Sequence, residues 1–91
     1  MPGTGRTYSA HVFGGYSRQL NNYIQSTRGR HTITWEEYPS GELHRLIWTV
    51  VIRVDGYPYG SGADYRKNIA RDQAAMIALM TLGVIPVQYP Y

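Results

Sequence analysis

From Tyr16 onward the apolar and polar positions follow a helical period. Tyr16, Leu20, Tyr23, Ile24 and Thr27 recur three and four residues apart, which places them on one helix face. Gly29 stands where a glycine commonly ends a helix, so the spacing predicts a first helix over residues 16–28. The period then changes to two. His31 to Tyr38 is rich in β-branched and aromatic residues and predicts a strand, closed by the turn signal Pro39-Ser40-Gly41. Between Leu46 and Val54 the alternation is clean, with Trp48, Val50, Ile52 and Val54 on one side and Thr49, Val51 and Arg53 on the other. That pattern describes a strand with one buried face. Asp55-Gly56 punctuates it, and Tyr57 to Gly62 predicts a short third strand, with Pro58 suited to a sheet edge because it has no amide proton to donate. Asp64 is expected to cap a second helix, which runs from Tyr65 to Leu82 and is ended by Gly83 and Pro86.

Three segments follow from this reading. Residues 1–15, rich in Gly, Ser and Thr, are expected to form a flexible arm; residues 16–83 form one domain; residues 84–91 are an apolar tail broken by prolines. The predicted fold class is α+β, with the order α-β-β-β-α. A three-stranded antiparallel meander carrying both helices on one face would bury every apolar stripe described.

Composition narrows the function classes. With 91 residues there is room for one core, and a charged fraction of only 16% beside 43% hydrophobic residues argues for a folded chain. The absence of cysteine excludes a disulfide framework, a thiolate metal site and a cysteine nucleophile. It suits an intracellular protein, the expected location. No apolar run is long enough to span a bilayer and no signal-peptide core follows Met1 to Arg6, so no membrane partner is expected. The net charge of +3 permits a polyanionic partner without requiring one, and among nine basic residues only Lys67 is lysine. Catalysis has no support. Adjacent Glu36 and Glu37 on a strand point to opposite faces, the histidines His11, His31 and His44 lack metal spacing, and no phosphate loop with a following lysine is present. Neither an enzyme, a metal, a cofactor nor a small-molecule substrate is expected.

The element order and a series of short motifs resemble the double-stranded-RNA-binding domain family over residues 16–82. Leu20-Asn21-Asn22-Tyr23-Ile24-Gln25 is similar to the family's leucine-asparagine-glutamate-tyrosine-x-glutamine. Gly41-Glu42-Leu43-His44 is similar to its glycine-proline-x-histidine, and Trp48 stands at a family phenylalanine. Trp35 takes the place of a family tyrosine, with one residue deleted. Gly56, Tyr59, Gly60 and Gly62 follow at family spacing, and Lys67-Asn68-Ile69-Ala70-Arg71 is similar to lysine-lysine-x-alanine-lysine. Ala74-Ala75, Ala78-Leu79 and Leu82 stay in register. Each motif alone is common; their order and spacing make the set specific.

The resemblance implies sequence-independent binding of duplex RNA through three patches. A-form RNA shows 2′-hydroxyls in a shallow minor groove, so such a domain touches successive minor grooves and the phosphates between them. Gln19 and Asn22 on the first helix form the first implied patch, three residues apart and able to donate and accept. His44 and Arg45, between the first two strands, form the second. Arg66, Lys67, Asn68 and Arg71, at the start of the second helix, form the third, where the helix dipole also favours phosphate. Joint replacement of Lys67 and Arg71 is expected to remove most binding and leave the fold intact. Four departures from the family pattern weaken the implied contacts: Asn22 for an acid, Glu42 for proline, Asp64 for glycine and Asn68 for lysine.

A second reading comes from the last helix itself. Ala70, Ala74, Ala78 and Leu82 form the stripe that would face the sheet. On the other side Ile69, Met76 and Met80, with Gln73 between and Ile77 at the margin, form a second apolar stripe. An exposed stripe of this kind suits a protein partner or a homodimer, with flexible methionines adapting the contact. The alternative is that the tail, Val84 to Tyr91, folds back over it.

Overall fold

A computed structural model describes residues 8–87, with the backbone alone for residues 8–14. The order is α1 (Tyr8–Ser26), β1 (Ile33–Ser40), a single 3-10 turn (Leu43–Arg45), β2 (Ile47–Val54), β3 (Tyr57–Asp64) and α2 (Lys67–Thr81). The strands form one antiparallel sheet in the order β1-β2-β3. This is the expected α-β-β-β-α architecture.

The core forms where the two periodicities meet. Val50 and Ile52, from the buried face of β2, share one cluster with Leu20 of α1 and with Ala70, Ala74, Ala75, Ala78 and Leu79 of α2. Tyr16, Ile24, Ile33, Trp35, Trp48, Tyr59 and Leu82 pack around it. The small residues of α2 have a structural purpose. A Cβ on Gly60 would meet the Ala74 carbonyl and lie 2.6 Å from the Ala78 nitrogen, and one on Gly62 would lie 2.5 Å from the Ala70 carbonyl. Backbone therefore packs directly on backbone, and Gly60-Ser61-Gly62 belongs to β3 rather than to a turn leading into the helix. Opposite Ile52 and Arg53 the register slips, leaving Tyr59 as the extra residue of a bulge, with its ring against the core.

Element ends show which sequence signals prevailed. Asp55 (φ 54°) and Gly56 (φ 89°) make the two-residue hairpin turn between β2 and β3, the conformation that Asp-Gly favours. Gly83 (φ 78°) closes α2: its amide donates to Met80, and the Val84 amide donates to Leu79. Val84 and Ile85 then pack against the core, while residues 88–91 of the expected tail lie outside the described residues.

Several boundaries differ from expectation, among them the end of α1 at Ser26 rather than 28 and the end of β3 at Asp64 rather than Gly62. The helical backbone of α1 reaches back to Tyr8, into the stretch expected as an arm; residues 1–7 lie outside the described residues. Gly14-Gly15, each costing a helix about 1 kcal/mol, made that start illegible. β1 continues through Pro39 and Ser40, because the proline sits on an edge strand where a missing donor is tolerated. α2 begins at Lys67, and Asp64 is not its cap. Asp64 ends β3, paired with Trp48, and its carboxylate accepts the Arg66 amide at 3.0 Å. The N-cap position falls to Arg66, which provides no side-chain cap.

Candidate nucleic-acid interface

The end of the sheet where β1 turns into β2 gathers two of the expected patches. Pro39 pairs with Trp48 and Ser40 with Ile47, so the connection through residues 41–46 hangs from the Trp48 end of the sheet. Lys67, the first residue of α2, stands over the same tryptophan, its Nζ 4.2 Å from the ring centre. The loop bearing His44 and the start of α2 are thus joined through one residue, Trp48.

His44 and Arg45 lie in the 3-10 turn, both exposed. Gly41 starts the loop with φ at 96°, and the Arg45 amide donates to the Glu42 carbonyl at 2.8 Å, which holds the turn closed. Glu42, the residue that departs from the family proline, places its carboxylate 3.8 Å from His44 Nε2. Both side chains are 80% exposed, so the pair is weak and strongly hydrated.

At α2 the chemistry is denser. Glu37 on β1 lies on the helix-facing side of the sheet, in the same row as Trp35, and pairs across the ladder with Val50. Its carboxylate takes a hydrogen bond from Arg71 at 2.5 Å and stands 3.4 Å from Lys67 Nζ. Arg71 lies in turn over the Trp35 ring, 4.2 Å from its centre. Two tryptophans and one carboxylate therefore hold both cations. The hydrogen bond from Arg71, with Lys67 adding to it, keeps the Glu37 carboxyl below the usual glutamate range. Arg66 sits 3.9 Å from the Asp64 carboxylate, and Asn68 is exposed. Among the described residues, Arg45 alone of the expected basic contacts has no carboxylate within ion-pair distance.

Gln19 and Asn22 are exposed on α1, with Leu20 fully buried between them. What sets this helix against the rest is Asp72, one turn beyond Asn68 on α2. The Tyr16 and Ser17 amides both donate to its Oδ1 at 3.0 Å, as they would to a capping carboxylate. Asp72 is only 4% exposed, and burial pushes its carboxyl above the ordinary aspartate value, against the opposing pull of those amides.

The expected protein-interaction stripe requires a correction. Ile69 is buried, with 6% exposure, and so is not open to a partner; Asp72, three residues on, is buried against α1. A helical wheel shows two apolar faces but not which one a second helix covers. Of the remaining stripe, Gln73 is exposed, and its side-chain oxygen accepts the Ala63 amide at 3.1 Å. Met76 and Met80 are half-buried, and Ile77 is 36% exposed.

Sequence reasoning singled out Lys67 and Arg71 but missed Glu37, Trp35 and Trp48 as their partners. The signal available was the i, i+2 spacing of Trp35 and Glu37, which puts a carboxylate in the buried row of a strand where it must find a cation. Among the described residues no group of three or more His, Cys, Asp or Glu could hold a metal ion, and no helix is long and apolar enough to cross a membrane.

Comparison with protein families matches residues 16–82 to the one described as double-stranded RNA binding motif. No curated protein matches the chain.

Proposed function

The chain belongs to the double-stranded RNA binding motif family, and on that premise we propose that it binds duplex RNA without regard to base sequence, through three patches. Gln19 and Asn22 of α1 meet one minor groove. His44 and Arg45 of the β1-β2 connection meet the next. Arg66, Lys67, Asn68 and Arg71 at the start of α2 hold the phosphates between them. The reading is of a binding module and not of a catalyst.

The observation that carries this proposal is the position of Trp48. It anchors the loop of His44 through its pairing with Pro39 and carries Lys67 over its ring, so groove and phosphate contacts share one rigid support. Asp72 supplies the corresponding link to α1, through the amides of Tyr16 and Ser17. Contacts on elements tied in this way keep fixed distances, which shape recognition of an A-form helix demands.

A salt titration with duplex RNA, duplex DNA and single strands at one protein concentration tests the proposal. The expected result is tightest binding to duplex RNA, weakening steadily with salt as phosphate contacts are screened. Equal binding to all of them would leave only non-specific charge attraction. Binding to none would favour a module that has exchanged RNA for protein contacts at Gln73, Met76, Ile77 and Met80.

A further inference from the structure

We propose that Glu37 sets how strongly the start of α2 holds RNA phosphate, because in the free protein its carboxylate occupies the cation pair that a phosphate would take. This rests on the duplex-RNA reading and adds an affinity-determining residue to it.

The chemistry of the two anions is alike. A carboxylate and a phosphodiester each present two oxygens sharing one negative charge, and both suit a guanidinium fork and an ammonium. Glu37 engages both cations at once, with Arg71 at hydrogen-bond distance and Lys67 Nζ at 3.4 Å. The group of three therefore presents a net charge of +1 to the RNA, where the two cations alone would present +2.

The constellation is arranged for exchange rather than for collapse. Glu37 is fixed by the sheet, opposite Val50, and cannot follow a cation outward. Lys67 has the longer contact and a side chain 44% exposed; Arg71 is closer, with 33% exposure. Lys67 is thus the first of the pair to turn to phosphate, and Arg71, the closer partner of Glu37, the second. The tryptophans keep both cations in place whatever the carboxylate does, since each is held 4.2 Å from a ring centre by an attraction that does not involve Glu37. Removing the charge of Glu37 should therefore uncover the cations without dispersing them.

The test compares the full chain with Glu37→Gln, which keeps size and hydrogen-bonding capacity but not charge. The probe is an RNA duplex longer than about 16 base pairs, the span a domain of this family covers. Thermal unfolding confirms that each variant is folded, and Glu37→Thr, a strand-favouring alternative, serves if the glutamine form does not fold. The expected result is binding about two- to five-fold tighter at low salt, the scale of one exposed ion pair. The log-log salt dependence should also steepen by up to about one unit, for one more neutralised phosphate. Unchanged or weaker binding by a folded variant overturns the proposal while leaving the RNA reading standing. A wild-type chain that binds no duplex beside a variant that does would support it. If neither binds, the proposal and the RNA reading both fall.

Discussion

Asp72, deep in the middle of α2, accepts the backbone amide of Tyr16 at 3.0 Å, across 56 positions of sequence. The Ser17 amide joins it on the same oxygen at 3.0 Å. One buried carboxylate thereby ties the middle of α1 to α2, and so sets the direction in which Gln19 and Asn22 leave the surface. Elsewhere the helices meet through apolar side chains, which tolerate sliding; this contact is directional and does not.

Replacing Asp72 should therefore act on both stability and binding. Asp72→Ala deprives the two amides of this acceptor in a part-buried place, a loss of about 1–3 kcal/mol. Asp72→Asn retains a carbonyl oxygen and should cost less. Urea unfolding of the three proteins gives the order wild type and Asn above Ala. If the alanine variant matches wild type, the link between the helices is not structural.

The same carboxyl has a defined pH signature. Burial raises its folded-state value above the unfolded 3.8, so the folded protein retains the proton longer than the unfolded chain does. The stability from this group is fully present below the unfolded value and is lost as pH rises through the folded one. Relative to Asp72→Asn, wild type should lose stability as pH climbs from about 3.8 upward. Glu37 acts in the opposite sense: its lowered value gives a contribution present above its ordinary 4.5 and lost as pH falls through the folded value. Unfolding free energies of wild type, Asp72→Asn and Glu37→Gln across acid pH separate the two; parallel curves would contradict both assignments.

Gly62 offers a test of the backbone contact beneath α2. An added Cβ would meet the Ala70 carbonyl at 2.5 Å and the Ala74 nitrogen at 2.9 Å, both main-chain atoms that cannot swing aside. Gly62→Ala should cost about 1–3 kcal/mol by overpacking, seen as a lowered midpoint of thermal unfolding. Gly60→Ala should behave likewise. A neutral effect at both positions would mean that helix and strand are further apart than described.

Lys67 and Arg71 divide differently than their sequence positions suggest. The double replacement, expected to leave the fold intact, should still lower stability, because together with Glu37 the two cations fasten α2 to β1. Arg71→Ala removes the closer ion pair and the stacking on Trp35, at about 1–2 kcal/mol of stability. Lys67→Ala should cost less stability and more RNA affinity. Measuring unfolding and duplex affinity for each single variant checks this, and equal effects on both quantities would undo the division.

Much of this was legible along the chain. The alternation through β2, the Asp55-Gly56 turn and the helix-ending Gly83 are local signals, decided by neighbours a few residues away; Gly29 lies beyond the end of α1 at Ser26, with Arg28 already at positive φ. The ends of β1 and β3 were not. Pro39 and Asp64 carry turn or cap chemistry, and only pairing with Trp48 keeps both in strands. Ile69 shows the same limit: its helical spacing marks an apolar side, and only the packing of the whole fold decides that the residue is buried. The pairing of Arg71 with Glu37 spans 34 positions, beyond any periodicity. The cations of the candidate interface could thus be named from sequence, but not the carboxylate that holds them.

The three-patch proposal is tested most directly by backbone amide resonances recorded during titration with an RNA duplex longer than about 16 base pairs. Resonances of Gln19 and Asn22, of His44 and Arg45, and of Arg66 to Arg71 should shift together at one stoichiometry, with the outer sheet positions Thr49 and Val51 still. Shifts confined to one patch, or centred instead on Met76, Ile77 and Met80, would contradict it.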